Sequence, residues 1–244
     1  MAQRFQGMFV AMRPSSIGAV TVLFRIMRRV EMLVGVPKEI KTQEFRVGLV
    51  PNSVVELVHR GHQVLVETNA GTGIGASDDE YRAAGADIAA TAGDVFAKAD
   101  MIVKVKEPQP DEWMQLSPNQ ILFTYLHLAA DAPQAYGLAN SGCTAIAYET
   151  ITDEQGGLPL LAPMSEVAGR LAVIEGASHL KANAGGRGVL ISGVPGTEPA
   201  DVLVIGGGVV GVNAAKMAVG LGARVTVFDR SVPRLRYLSD IFGN

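Results

Sequence analysis

The sequence predicts an α/β chain of two doubly wound, Rossmann-like domains, the second incomplete. Two observations predict it. From Leu33 onward, short apolar runs alternate with amphipathic stretches, the pattern of parallel strands joined by crossover helices. Further on, the apolar run 202–205 leads directly into Gly206, Gly207, Gly208, Val209, Val210 and Gly211, followed by a helical pattern and a further apolar run.

The first domain is expected to place strands at 33–36, 63–67, 101–105, 121–125 and 144–147. Helices are expected at 53–60, closed by Gly61, at 78–84, closed by Gly85, and at 94–98. Glycine just past the last turn is a normal helix stop because it accepts a left-handed backbone at little cost. Pro108, Pro110, Pro118, Pro133, Pro159 and Pro163 fall between these elements, as residues lacking an amide donor should. A longer helical pattern over 164–181, ended by the glycine-rich stretch 185–188, is expected to link the domains. After a polar turn at 196–199 the second domain begins. A dinucleotide fold needs about six strands, and the sequence stops at Asn244, a short way beyond the second of them.

Composition narrows the partners. With 48% hydrophobic residues the 244-residue chain can bury a real core. A formal net charge of -3 gives no broad basic field, which argues against nucleic acid and for a small-molecule enzyme. The lone Cys143 has neither a disulfide partner nor neighbouring ligands at metal spacing, so no metal site is expected and a reducing, cytoplasmic compartment is. Residues 1–31 carry Arg4, Arg13, Arg25, Arg28 and Arg29 against Glu31. They are read as an N-terminal extension, with Met32 opening the fold. Their longest apolar run, 17–24, is far short of the roughly 20 residues a membrane helix needs.

The glycine segment carries the clearest chemistry. Gly206 permits the tight strand-to-helix turn, Gly208 lets a pyrophosphate approach the backbone, and Gly211 allows helix and strand to pack closely. The helix start at Val209 and Val210 then offers unpaired amides and a positive dipole end to phosphates. Asp229 closes the next strand, about 20 residues beyond the glycines, where a carboxylate accepts hydrogen bonds from an adenosine ribose. NAD is the cofactor this pattern fits; the adjacent Arg230 weakens the preference over NADP.

On the substrate side, Glu39, Lys41, Glu44 and Arg46 follow the first strand, where doubly wound domains place ligand contacts. Arg46 can clamp a carboxylate through two parallel hydrogen bonds, or simply form an ion pair. Lys104 and Lys106 alternate on one expected strand and so point the same way, toward a ligand or on a solvated edge. His127, following the strand 121–125, is a candidate acid or base because its unperturbed pKa lies near neutrality; a hydrogen-bonded strand-end histidine is the alternative.

The residues then carry a resemblance. Met32-Leu33-Val34-Gly35-Val36-Pro37-Lys38-Glu39, Glu44-Phe45-Arg46-Val47-Gly48-Leu49, Lys104-Val105-Lys106-Glu107-Pro108, Tyr125-Leu126-His127-Leu128-Ala129 and Pro163-Met164-Ser165-Glu166-Val167-Ala168-Gly169 resemble the alanine dehydrogenases, over essentially everything from Met32 onward. The resemblance implies that Arg46 and Lys106 hold the carboxylate and carbonyl oxygen of pyruvate or alanine. It makes His127 the catalytic histidine and Ser165, Gly206, Gly208, Val209, Val210, Gly211 and Asp229 the NAD contacts. It also implies reversible oxidative deamination of L-alanine to pyruvate and ammonium, and assembly as a homohexamer. The chain then divides into an extension (1–31), a substrate-binding domain (32–160), a linking helix and turn (161–200) and the start of an NAD-binding domain (201–244). Measured against that family the sequence reads as C-terminally truncated, and little turnover is expected of it alone. Two alternatives stand: hydride transfer of the kind made by the nicotinamide nucleotide transhydrogenase α subunit, and a catalytically dead nucleotide-binding module.

Overall fold

Six parallel-type strands open the fold: β1 (Leu33–Val36), β2 (Gln63–Glu67), β3 (Asp87–Ala89), β4 (Met101–Val103), β5 (Ile121–Thr124) and β6 (Thr144–Ala147). The structure, a computed structural model, describes residues 31–243; the expected extension therefore lies, apart from Glu31, outside the described residues. The strands are hydrogen-bonded in the order β3-β2-β1-β4-β5-β6, which belongs to the doubly wound class expected from the sequence, with β3 as an edge strand that was not expected. The central registers are parallel, with Val34 paired to Val64 and to Met101, and Val66 to Ile88. Strands covered on both faces read as continuous apolar runs rather than alternating ones. Val34, Val36, Val64, Leu65, Val66, Ile102 and Val103 accordingly lie in the core.

Crossovers between these strands use α1 (Pro51–His59), α2 (Asp78–Ala83) and α3 (Ala92–Lys98), with a short α4 (Pro110–Trp113) and α5 (Ala132–Ser141) further on. Pro51 sits in the first turn of α1, where the missing amide costs nothing. The start of α2 is fixed by a reciprocal cap. Ser77 Oγ accepts from the Glu80 amide at 3.3 Å, and Glu80 Oε2 accepts from the Ser77 amide at 2.7 Å. From α2 the fully buried Tyr81 donates its hydroxyl to the carbonyl of Leu49 at 2.8 Å, and burial pushes its phenol up to about 12. Tyr81→Phe is expected to lower unfolding stability by about 1 kcal/mol, since the carbonyl then loses its partner; urea denaturation measures it.

By contacts the chain divides into two compact units, residues up to Leu122 with Ala132–Thr144, and Phe123–Asp131 with Ala145–Asn244. The second unit holds α6 (Ala162–His179), β7 (Asp201–Ile205), α7 (Val209–Gly220), β8 (Arg224–Phe228) and α8 (Val232–Phe242). β7 and β8 pair in parallel, from Asp201 with Arg224 to Ile205 with Phe228. The helix expected to link the domains also packs here: Val173 of α6 joins Val204, Ala214, Ala215 and Ala218 in one core. The two helices meet so closely at Gly169 that a methyl there would overlap the Val210 carbonyl oxygen. Among the described residues no helix is long and apolar enough to cross a membrane.

Candidate active site

In the first unit the candidate residues lie on the two segments that leave β1 and β4. Arg46 meets Glu44 in a two-pronged arrangement, Nε to Oε1 at 2.8 Å and Nη2 to Oε2 at 2.5 Å. This bonding holds the Glu44 carboxyl below the usual carboxylate range, burial opposing it and the charge of Lys106 reinforcing it. Arg46 therefore grips a carboxylate supplied by the chain itself, and the charge of Lys106 acts on the same group. Lys38, Glu39, Phe45, Asn69 and Thr72 line a cavity of about 280 Å³ together with Glu44 and Arg46. Its size suits a small carboxylic acid rather than a drug-sized ligand.

Lys104 departs from expectation. β4 ends at Val103, so Lys104 and Lys106 follow the strand instead of alternating along it. Lys104 is 1% exposed, its Nζ 3.1 Å from Glu39 Oε2 and 2.7 Å from Glu112 Oε1. A solvated edge is excluded: the ammonium is buried because two carboxylates meet it. The other oxygen of Glu39 accepts from the Val105 amide at 2.6 Å and, longer, from the Lys106 amide at 3.4 Å. Beside this cluster Lys41 pairs with Glu107.

His127 belongs to the second unit. It follows β5 with φ 50° and ψ 33°, a left-handed backbone that few residues with a Cβ adopt. Its amide donates to Glu149 Oε1 at 2.7 Å, and the Leu126 amide to the same oxygen at 3.0 Å. The imidazole lies nearly flat beside the Tyr125 ring, centroids 5.9 Å apart and 22° between planes. The residue is exposed.

The glycine turn of the second unit has the geometry its sequence requires. Gly206, at φ 96°, turns the chain out of β7, and its amide donates to the Phe228 carbonyl at 2.7 Å. Gly208 caps α7, whose first residues Val209 and Val210 remain half exposed. At Gly211 any Cβ would collide with the Gly206 carbonyl oxygen. Asp229 accepts from the Gly207 amide at 2.7 Å and from the Ser231 amide at 2.8 Å. Those two amides, Ser231 first, hold its carboxyl below the usual carboxylate range. Arg234 donates to the Gly207 carbonyl from the first turn of α8. Ser165 sits on α6 one turn before Gly169, the residue pressed against the first turns of α7.

Glu149, Asn213 and Arg170 were not visible as site residues in the sequence. Asn213 Nδ2 donates to the Val209 carbonyl at 2.9 Å, and Arg170 Nε donates to Asn213 Oδ1 at 3.2 Å, tying α6 to the start of α7. Among the described residues no group of three His, Cys, Asp or Glu side chains is placed to hold a metal ion.

A doubly wound first sheet and a strand, glycine turn, helix and strand in the second unit define a class, the two-part α/β proteins with a Rossmann-type nucleotide-binding turn. Residues 35–168 match the family "Alanine dehydrogenase/PNT, N-terminal domain" and residues 172–244 match "Alanine dehydrogenase/PNT, C-terminal domain". The chain belongs to this alanine dehydrogenase/PNT family. It is 58% identical to an alanine dehydrogenase of Halomonas elongata over 86% of its own length and 56% of that protein's. With an alanine dehydrogenase of Bacillus subtilis it shares 54% over 87% of its length and 57% of the relative. A solved L-alanine dehydrogenase superposes with a TM-score of 0.82 at 55% identity, covering 87% of this chain and 59% of that one. A transhydrogenase structure from Sinorhizobium meliloti superposes at 0.73 with 27% identity, covering 86% and 62%. The chain thus spans less than three-fifths of the length of these curated relatives.

Proposed function

We propose that this chain is part of an NAD-dependent L-alanine dehydrogenase, catalysing the reversible conversion of L-alanine, NAD and water to pyruvate, ammonium and NADH. The observation that carries the proposal is its identity to proteins named alanine dehydrogenase, 58% and 54%, against 27% to the transhydrogenase structure. Nucleotide-to-nucleotide transfer also gives no work to a proton-handling histidine, whereas deamination does.

The residues fit the dinucleotide. Gly206, Gly208, Val209, Val210 and Gly211 would receive the pyrophosphate at an open helix start, Ser165 would add a contact from α6, and Asp229 would take the ribose hydroxyls. The bound nicotinamide supplies the hydride acceptor. Arg46 and Lys106 orient the substrate's carboxylate and carbonyl oxygen. Because Glu44 occupies the Arg46 fork, a bound carboxylate must share or displace it. His127 takes a proton from the α-ammonium group and releases it to solvent as the hydride leaves the α-carbon; it then takes a proton from the water that attacks the resulting iminium and returns it to the departing amine. The lone Cys143 supports a cytoplasmic location, and assembly as a homohexamer is proposed from the family resemblance.

The test is NADH formation from L-alanine, measured for this chain and for the chain extended by the C-terminal part of a family member. Turnover is expected in the extended protein, with His127→Ala lowering kcat by about 100-fold or more. Nucleotide binding with no turnover on alanine, but with hydride transfer between nucleotides, would move the assignment to the transhydrogenases. Binding with neither reaction would leave a nucleotide-binding module.

A further inference from the structure

His127 occupies a backbone conformation that its own side chain disfavours, so something else must hold it there. Within the second unit, Glu149 follows β6 in the short turn Tyr148–Thr150 and reaches the chain 22 residues earlier. Its Oε1 accepts from the amides of both His127, at 2.7 Å, and Leu126, at 3.0 Å, and Oε2 stands 3.3 Å from the Leu126 amide. A carboxylate receiving two consecutive amides fixes the peptide planes on either side of Leu126 and the left-handed turn that follows. The same turn braces the ring on which the imidazole rests. Tyr148 meets Tyr125 edge-on at 5.0 Å, and the Tyr125 hydroxyl donates to the Leu160 carbonyl at 2.5 Å. Backbone and ring are thereby held from one short segment, and the imidazole is left exposed beside a fixed tyrosine.

We propose that Glu149 is a positioning residue for His127: it holds the left-handed turn through its acceptor oxygen and so sets where the imidazole stands. This rests on the assignment of His127 as the proton-handling group. The two shorter of the three bonds converge on Oε1, so a neutral amide oxygen in that place should serve. Glutamine is therefore the conservative variant, and alanine the one that releases the turn.

Two readouts test it. In the 244-residue chain, the ring C–H signals of its four histidines are followed by NMR, with His127→Asn assigning the signal of His127. Glu149→Ala is expected to move or broaden that signal, while Glu149→Gln leaves it in place. In the extended protein, Glu149→Ala is expected to lower kcat by about 10- to 100-fold with the KM for the nucleotide unchanged, the cost of a displaced catalytic group. Glu149→Gln is expected to restore kcat to within about threefold with an unaltered pH profile, since a group already in place loses no orientation. Should Glu149→Ala not fold, Glu149→Asp, with the acceptor drawn back by one methylene, should give an intermediate signal and rate. An unmoved His127 signal in Glu149→Ala or Glu149→Asp, or a Glu149→Gln variant as impaired as the alanine one, overturns the proposal. A moved signal in a protein with no alanine turnover in any form upholds the positioning role and overturns the dehydrogenase assignment instead.

Discussion

Replacing Gly211 with alanine is expected to abolish nucleotide binding and to destabilise the second unit by about 3 kcal/mol, the upper end of what an overpacked site costs. A Cβ at this position would overlap the carbonyl oxygen of Gly206 and press on Val204. Neither neighbour can yield cheaply. Gly206 is committed at φ 96° and its amide is bonded to Phe228 across the strand pair. Val204, on β7, lies in the core against α6 and α7. Relief must come from moving α7 away from the end of β7, and that movement displaces the open amides at Val209 and Val210 from the phosphate position. Calorimetric titration with NADH and urea unfolding measure the two parts. Retained binding with lowered stability would mean that the phosphate contact lies elsewhere in the turn.

How far the sequence reveals this fold depends on where each segment's partners lie. β1 and β2 occur at the expected residues because a run buried in a parallel sheet needs only its own apolar side chains to be visible, and β6, though exposed, shows through its short apolar run after Gly142. β3, with three residues, is too short to show a period. α5 carries Pro133, Gln134, Gly137 and Asn140, which dilute its apolar face until no helical stripe stands out. The second unit was legible at its glycine turn since strand, turn and helix are contiguous there. The braces of the site were not. Glu149 acts 22 residues from its histidine, and Glu39 acts 65 to 67 residues from Lys104, Val105 and Lys106. A glutamate that will cap backbone amides across the fold looks, in sequence, like any surface glutamate. The same distance explains Lys104, whose burial depends on two carboxylates that the local pattern does not contain.

That cluster sets up the other large effect. Lys104→Met is expected to destabilise the first unit by about 3–5 kcal/mol at neutral pH, because it removes the one cation between two buried carboxylates of similar reach. Burial already holds the Glu112 carboxyl above its usual range, with the charge of Glu39 adding to the rise and Lys104 and the Gln109 amide opposing it. A carboxyl raised in the folded state favours folding below its unfolded pKa, and this contribution is lost as pH rises through the folded value. Removing Lys104 takes away the main opposition, so the folded pKa climbs further and the penalty of ionising the pair grows. The destabilisation should therefore be largest near neutral pH and shrink as pH falls toward the ordinary carboxylate range. Urea unfolding of both proteins at about pH 7 and about pH 5 measures it, and Lys104→Met with Glu112→Gln should recover part of the loss. A difference independent of pH would assign Lys104 to packing alone. The electrostatic outcome would carry a functional consequence. Glu39, freed from Lys104, would no longer hold the amides of Val105 and Lys106 at a fixed height, and the lysine proposed to face the substrate would lose its footing with it.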